Sequence, residues 1–112
     1  MILVPLYDTL GEEGVKFILN QTELPFLFAH PKTLKSYLSY LPECPAVKLM
    51  VKIPSLEVQD VTEEERSAAQ KHGVELVTWA EFIKRGADDP KPMVLPGPED
   101  TCTLCYTSGT TG

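Results

Sequence analysis

An α/β fold, with a largely parallel sheet and flanking helices, is what this sequence predicts. Three observations carry that expectation. Short apolar runs alternate with segments whose apolar residues recur at helical spacing, in the order of a layered α/β domain. Proline and glycine stand at the junctions between them, as at Pro25, Pro54 and Gly73. Two Thr-x-x-Glu pairs, Thr62/Glu65 and Thr78/Glu81, mark helix starts.

The elements follow in order. Ile2 to Leu6 is apolar and suits the end of a buried strand; Tyr7-Asp8 then turns the chain. Thr9, with Glu12 three residues on, predicts a capped helix whose inward stripe is Val15, Ile18 and Leu19. Gly11 and Gly14 weaken its first turns while permitting close backbone approach. Pro25 opens a second strand, Phe26-Leu27-Phe28-Ala29. His30-Pro31 starts the next helix, where Leu34, Tyr37, Leu38 and Leu41 share one face, and Pro42 and Pro45 end it. Val47 to Ile53 reads as a strand closed by Pro54.

Thr62 caps a third helix that opens on Glu63-Glu64-Glu65 and closes on Lys71 and His72 before Gly73, a charge order that matches the helix dipole. Its face is weakly apolar, so it is expected to be exposed. Val74 to Val77 is a short strand. Thr78 caps a fourth helix with Trp79, Phe82 and Ile83 as its buried stripe and Gly86 as its C-cap. Residues 86–100 form a proline-rich connector, extended in character, that leads to a last strand from Thr101 to Tyr106.

Composition narrows the function. The 112 residues are 43% hydrophobic and 23% charged, with a formal net charge of −6, so no basic face for nucleic acid is visible. An acidic balance still admits a nucleotide ligand, because converging N–H groups act locally. No apolar run is long enough to span a bilayer. The three cysteines, Cys44, Cys102 and Cys105, are an odd count that favours a reducing compartment. Cys102 and Cys105 stand three apart on an expected strand, so their side chains point to opposite faces and packing is expected rather than metal or redox chemistry.

Other chemistry-bearing residues have plain readings. Asp8 suits a turn, and His30 lacks an evident carboxylate partner. His72 suits a helix end, and the three consecutive glutamates point in different directions as a solvated face. Trp79 and the phenylalanines are expected in the core.

The segment Tyr106-Thr107-Ser108-Gly109-Thr110-Thr111-Gly112 follows the last apolar run. Gly109 and Gly112 permit positive φ and leave room for an anion at the backbone. Thr107, Ser108, Thr110 and Thr111 offer hydroxyls to phosphate oxygens or to Mg²⁺. The segment is not a Walker A loop, which needs a further Lys-Ser/Thr. The competing interpretation is an unstructured Ser/Thr/Gly tail.

Tyr106 to Gly112, after Glu99-Asp100 and an apolar run, resembles the phosphate-binding loop of the acyl-adenylate-forming enzymes. Within that superfamily, Val4-Pro5-Leu6-Tyr7-Asp8-Thr9-Leu10-Gly11 resembles a stretch of the long-chain fatty acyl-CoA synthetases, and Val15 to Asn20 and Val74 to Phe82 fit the same layout. The resemblance covers the whole chain. It implies residues 1–112 as a partial N-terminal AMP-binding domain, part of the large N-terminal domain of an adenylate-forming enzyme.

The implied chemistry is a two-step ligation. A fatty carboxylate attacks the α-phosphate of ATP to give acyl-AMP and pyrophosphate, and the sulfur of coenzyme A then displaces AMP. Thr107, Ser108, Gly109, Thr110, Thr111 and Gly112 would hold the ATP phosphates, with Thr107 and Ser108 as the first hydroxyl contacts and Mg²⁺ offsetting charge. No catalytic residue is assigned within the chain, and the metal ligands are unknown. The family's loop continues into Pro-Lys-Gly, and the later acidic motif, ribose-binding aspartate, hinge and C-terminal lysine are absent from this sequence. The expectation is a fragment cut at both ends and inactive alone, from an intracellular parent that meets an endoplasmic reticulum or peroxisomal membrane through sequence outside this stretch. Its partners would be a long-chain fatty acid, ATP and CoA, with no nucleic acid. Two alternatives stand beside it: a short non-catalytic α/β interaction module, and a piece of another acyl- or aryl-adenylating enzyme.

Overall fold

The computed structural model describes residues 1–56 and 60–107. Its first helix, α1, runs Gly11–Thr22. The expected Thr9/Glu12 cap does not form. Residues Tyr7 to Leu10 make a turn closed by Leu10 N–H on Tyr7 C=O at 3.1 Å, and Gly11 follows at φ +68°, a conformation open to glycine. That kink makes Leu10 the N-cap, without a side-chain bond. Glu12 and Glu13 in the first turn face the positive end of the helix dipole instead.

Strand β1, Phe26–Ala29, leads into α2, Pro31–Tyr40. His30 caps α2 by accepting Lys32 N–H at Nδ1 (3.2 Å), and Pro31 takes the first helical position, where its missing N–H costs nothing. The helix stops one residue before Leu41 because Pro42 cannot donate to the preceding turn; Leu41–Glu43 tightens into a 3-10 turn that still buries Leu41. Strand β2 is Leu49–Lys52, shorter than the expected span from Val47 to Ile53.

Helix α3, Glu63–Gln70, carries the complete Thr62/Glu65 capping box. It is largely exposed, as its sequence predicts, with Ala69 turned to the core. Gly73 follows at φ +70° and releases the chain into β3, Glu75–Thr78. Helix α4, Trp79–Asp88, carries the Thr78/Glu81 box. Gly86 does not end it: the helix continues to Asp88, and Asp89 N–H bonds Arg85 C=O at 3.2 Å.

The three strands form one parallel sheet in the order β1-β2-β3, confirming the α/β expectation. The register aligns Leu27, Met50 and Leu76 on one face and Phe28, Val51 and Val77 on the other. Crossovers through α2 and α3 in sequential strand order place both helices against the first face. There Val15 and Leu19 of α1, Leu34 of α2 and Ala69 of α3 join Leu27, Ala29, Met50 and Leu76 in the main core, with Leu41, Cys44 and Val47 beside them.

The second face is covered incompletely. Phe28 meets Phe82 and Trp79 of α4 edge-on, at ring-centroid distances of 5.4 and 6.3 Å. The expected buried stripe on α4 is corrected here: Trp79 is 39% and Ile83 51% exposed, and no residue of α4 is buried. Phe26 and Phe28 are exposed as well. A parallel strand is apolar on both sides and requires two covering layers; among the described residues only one is complete.

The first and last apolar runs are not strands. They meet at a single parallel bridge between Leu3 and Thr103, with Leu3 N–H on Cys102 C=O at 3.0 Å and Leu104 N–H on Leu3 C=O at 2.9 Å. Both runs stay largely exposed. One bridge lacks the neighbouring ladder that would dry and lengthen them.

Candidate functional site

Extended backbone sends successive side chains to opposite sides, and residues 101–107 show this at their last described positions. Cys105 turns toward the Tyr7 hydroxyl, with Sγ and Oη 2.7 Å apart. Tyr106 turns the other way, onto α1. Its ring meets Phe17 edge-on, with centroids 6.4 Å apart and planes at 90°, and its hydroxyl donates to Gln21 Oε1. Phe17 and Gln21 are four residues apart and so share one face of α1. Tyr106 is half-buried and Thr107 exposed. The remaining candidate positions, Ser108, Gly109, Thr110, Thr111 and Gly112, lie outside the described residues.

The cysteines depart from expectation. Cys44 is buried and packs in the core, and burial raises its thiol pKa. Cys102 and Cys105 are exposed rather than packed. The bond with Cys105 is the main cause that raises the Tyr7 phenol above its ordinary pKa.

Several charged side chains are engaged in architecture. Lys52 ends β2 with a side chain only 3% exposed, and donates to Glu65 at 2.9 and 3.0 Å and to Asp60 C=O at 2.8 Å. Burial alone would raise the Glu65 pKa. Hydrogen bonds from Lys52 and from Thr62 N–H, with the Lys52 charge, outweigh burial and leave it lowered. Arg66 donates through one terminal guanidinium nitrogen to Leu76 C=O at 2.8 Å and through the other to both carboxylate oxygens of Glu81 at 3.0 Å, tying α3 to β3 and α4. Lys16 gathers Glu12, Glu13 and Glu43 at 2.7 to 3.1 Å, with Glu13 the leading cause of its raised pKa.

His30 is spent on its helix cap, while Asp8 and His72 are exposed. A groove of about 630 Å³ opens beside β1 at the edge of the sheet, lined among others by Ile2, Leu6, Phe26, Phe28, Tyr37 and Ile53. Its walls are mostly apolar, with Asp8 and His30 at the lining; the His30 ring is already committed to the α2 cap. Among the described residues no three of His, Cys, Asp and Glu converge to hold a metal ion.

The sequence reading singled out the segment that begins at Tyr106 but missed the contacts Tyr106 makes with α1. Gln21 and Phe17 carry no motif; an aromatic residue off the inward stripe of Val15, Ile18 and Leu19 was the available signal.

The model of the AMP-binding enzyme family matches residues 1–112. Long chain acyl-CoA synthetase 7, peroxisomal, of Arabidopsis thaliana is 40% identical over 99% of this chain and 15% of its own length. Long chain acyl-CoA synthetase 1 of the same plant is 35% identical over 100% of the chain and 16% of its own length. Probable CoA ligase CCL6 of Humulus lupulus is 34% identical over 97% of the chain and 16% of its own length. The chain therefore spans about one sixth of the curated relatives it matches, 15% to 16%. No solved structure matches it significantly. A family model that matches from the first residue to the last, over a parallel α/β sheet, places this chain in the AMP-binding enzyme family.

Proposed function

We propose that the chain is a segment of the N-terminal AMP-binding domain of a long-chain fatty acid–CoA ligase, reaching as far as the loop that holds ATP phosphates. The observation that carries this reading is 40% identity to a long-chain acyl-CoA synthetase across nearly the whole chain, including the stretch that enters the loop. In this reading the proline-rich stretch after α4, residues 89–100, is a connector within the domain, Gly86 to Asp88 belonging to the helix. Thr107, Ser108, Gly109, Thr110, Thr111 and Gly112 bind the β- and γ-phosphates, where charge builds as pyrophosphate departs. The fatty carboxylate, ionised near neutral pH, attacks the α-phosphorus; CoA then takes the acyl group. The substrates are a long-chain fatty acid, ATP and CoA, inside the cell. A membrane contact would come through other sequence.

Among the described residues no acidic set converges to hold Mg²⁺; the ion, when bound, would offset charge on the ATP phosphates. The 112-residue piece supplies phosphate contacts and scaffold, and by itself catalyses nothing.

The test is fatty-acid-dependent ATP–pyrophosphate exchange by the full-length protein carrying this sequence, followed by thioester formation on addition of CoA. Exchange with palmitate or oleate is expected. Exchange only with short or aryl carboxylates would reassign the substrate class, and exchange by no carboxylate would overturn the ligase reading. The isolated chain is expected to show none.

A further inference from the structure

Resting on the phosphate-loop reading, we propose that Tyr106 is a positioning residue for ATP, acting through Gln21 and Phe17 of α1. Around it, residues 101–105 and Thr107 are exposed, while Tyr106 is half-buried. Its ring and its hydroxyl are engaged together, by Phe17 and by Gln21. The partner side is equally specific. Phe17 is 58% exposed and contributes nothing to the main core, which α1 reaches through Val15 and Leu19. A large aromatic on the outer face of a helix is costly to leave in water, and here its ring partner is Tyr106.

Helix α1 therefore joins two things. One face is anchored in the core, and the other holds the residue covalently next to Thr107. Across the extended segment, Cys105 meets Tyr7, and Leu3 bonds the backbone on either side of Thr103. The approach to the loop is pinned from both sides immediately before its first hydroxyl.

Pinning has a kinetic consequence. Hydrogen-bond donors stabilise developing charge in proportion to how well they are already placed, and ordering a loose segment on binding subtracts from affinity. Releasing Tyr106 should weaken ATP use selectively, since CoA enters after the adenylate forms.

The experiment uses the full-length protein with Tyr106→Phe, Gln21→Leu and the double variant. It measures KM for ATP and fatty acid in pyrophosphate exchange, KM for CoA in thioester formation, and the thermal midpoint. Each single variant is expected to raise KM for ATP about two- to tenfold, the range of one hydrogen bond. The double variant should add little beyond either single one, since both remove the same bond. KM for CoA and the thermal midpoint should hold. Three results would overturn the proposal: ATP parameters unchanged in both single variants, effects that multiply in the double variant, or a parallel loss across all substrates with a lowered midpoint. If the wild-type protein shows no exchange at all, the ligase reading falls and this inference with it. Wild-type exchange with indifferent variants sinks the inference alone.

Discussion

Lys52 and Glu65 form a buried ion pair at 2.9 Å that ties the carboxyl end of β2 to the first turn of α3. The same carboxylate accepts Thr62 N–H, also at 2.9 Å, so one glutamate closes both a capping box and a tertiary contact. Glu65→Gln would keep the cap acceptor while leaving the Lys52 charge buried beside a neutral amide. Removing one partner of a buried pair costs about 3–5 kcal/mol; the Glu65 side chain is 27% exposed, which places the expected loss nearer 2 kcal/mol. Lys52→Met should cost less than Glu65→Gln, because it leaves no buried charge behind. Urea unfolding of the dilute 112-residue chain, followed by fluorescence of Trp79, measures both, and the reverse order would contradict the account.

Acid should weaken the fold through a defined set of carboxylates. Glu65, Glu75 and Glu81 all have lowered pKa values in the folded state: Glu65 despite burial, Glu75 through Arg85, and Glu81 through the Thr78 backbone and Arg66. A depressed folded pKa means that stability is fully present above the unfolded value, about 4.3, and is lost as pH falls through the folded value. The unfolding midpoint should therefore be level from pH 7 to about 5 and drop below about 4.5. Glu65→Gln should make that drop shallower. Lys16 works in the opposite sense: its raised pKa gives a contribution present below about 10.4 and lost only at stronger alkali. A midpoint that declined steadily between pH 7 and 5 would show that other groups govern the acid response.

The helix caps allow a direct comparison among three threonines. Thr62 and Thr78 accept N–H bonds from Glu65 and Glu81 at 3.2 and 3.1 Å, and replacing either with alanine should cost about 1 kcal/mol. Thr9 matches the same pattern in sequence but caps nothing, since α1 begins after Leu10. Thr9→Ala should leave urea stability within about 0.5 kcal/mol of the parent chain. A loss equal to that at Thr62 would mean that the Thr9 cap forms in solution.

The second sheet face should behave as open apolar surface in the isolated chain. Phe26, Phe28, Ile53, Trp79 and Ile83 are all more than one third exposed there, and contiguous patches of that kind bind partners or aggregate. Strong ANS fluorescence and concentration-dependent association are expected, and Phe26→Glu with Ile83→Lys should reduce both. A chain that stayed monodisperse at high concentration, without dye binding, would instead support the reading of a self-sufficient interaction module.

Much of the architecture was legible from local chemistry. Thr62/Glu65 and Thr78/Glu81 announce helix starts because a capping box satisfies its own backbone within four residues. Leu34, Tyr37 and Leu38 face inward because their spacing alone puts them on one stripe. The Tyr106-to-Gly112 segment is conspicuous by its glycines and hydroxyls. Thr9/Glu12 misleads, because a glycine at φ +68° between them diverts the backbone from the path that the pattern assumes. Gly86 misleads in the same way: a helix end requires a left-handed turn as well as a residue able to make one.

The sequence by itself determined the order of α1 to α4 and of β1 to β3, the parallel character of the sheet and the family resemblance of the Tyr106-to-Gly112 segment, since these rest on periodicity, caps and contiguous residues; the strands expected at the first and last apolar runs reduce to one bridge. The tertiary structure alone decided that Trp79 and Ile83 stay half-open, that Lys52 is committed to Glu65, and that Tyr106 is held by α1 through Phe17 and Gln21. These contacts join residues as much as 89 positions apart, as with Tyr106 and Phe17. Spacing along a chain carries no information about which of its faces will meet; only the packing of the sheet against its helices brings them together.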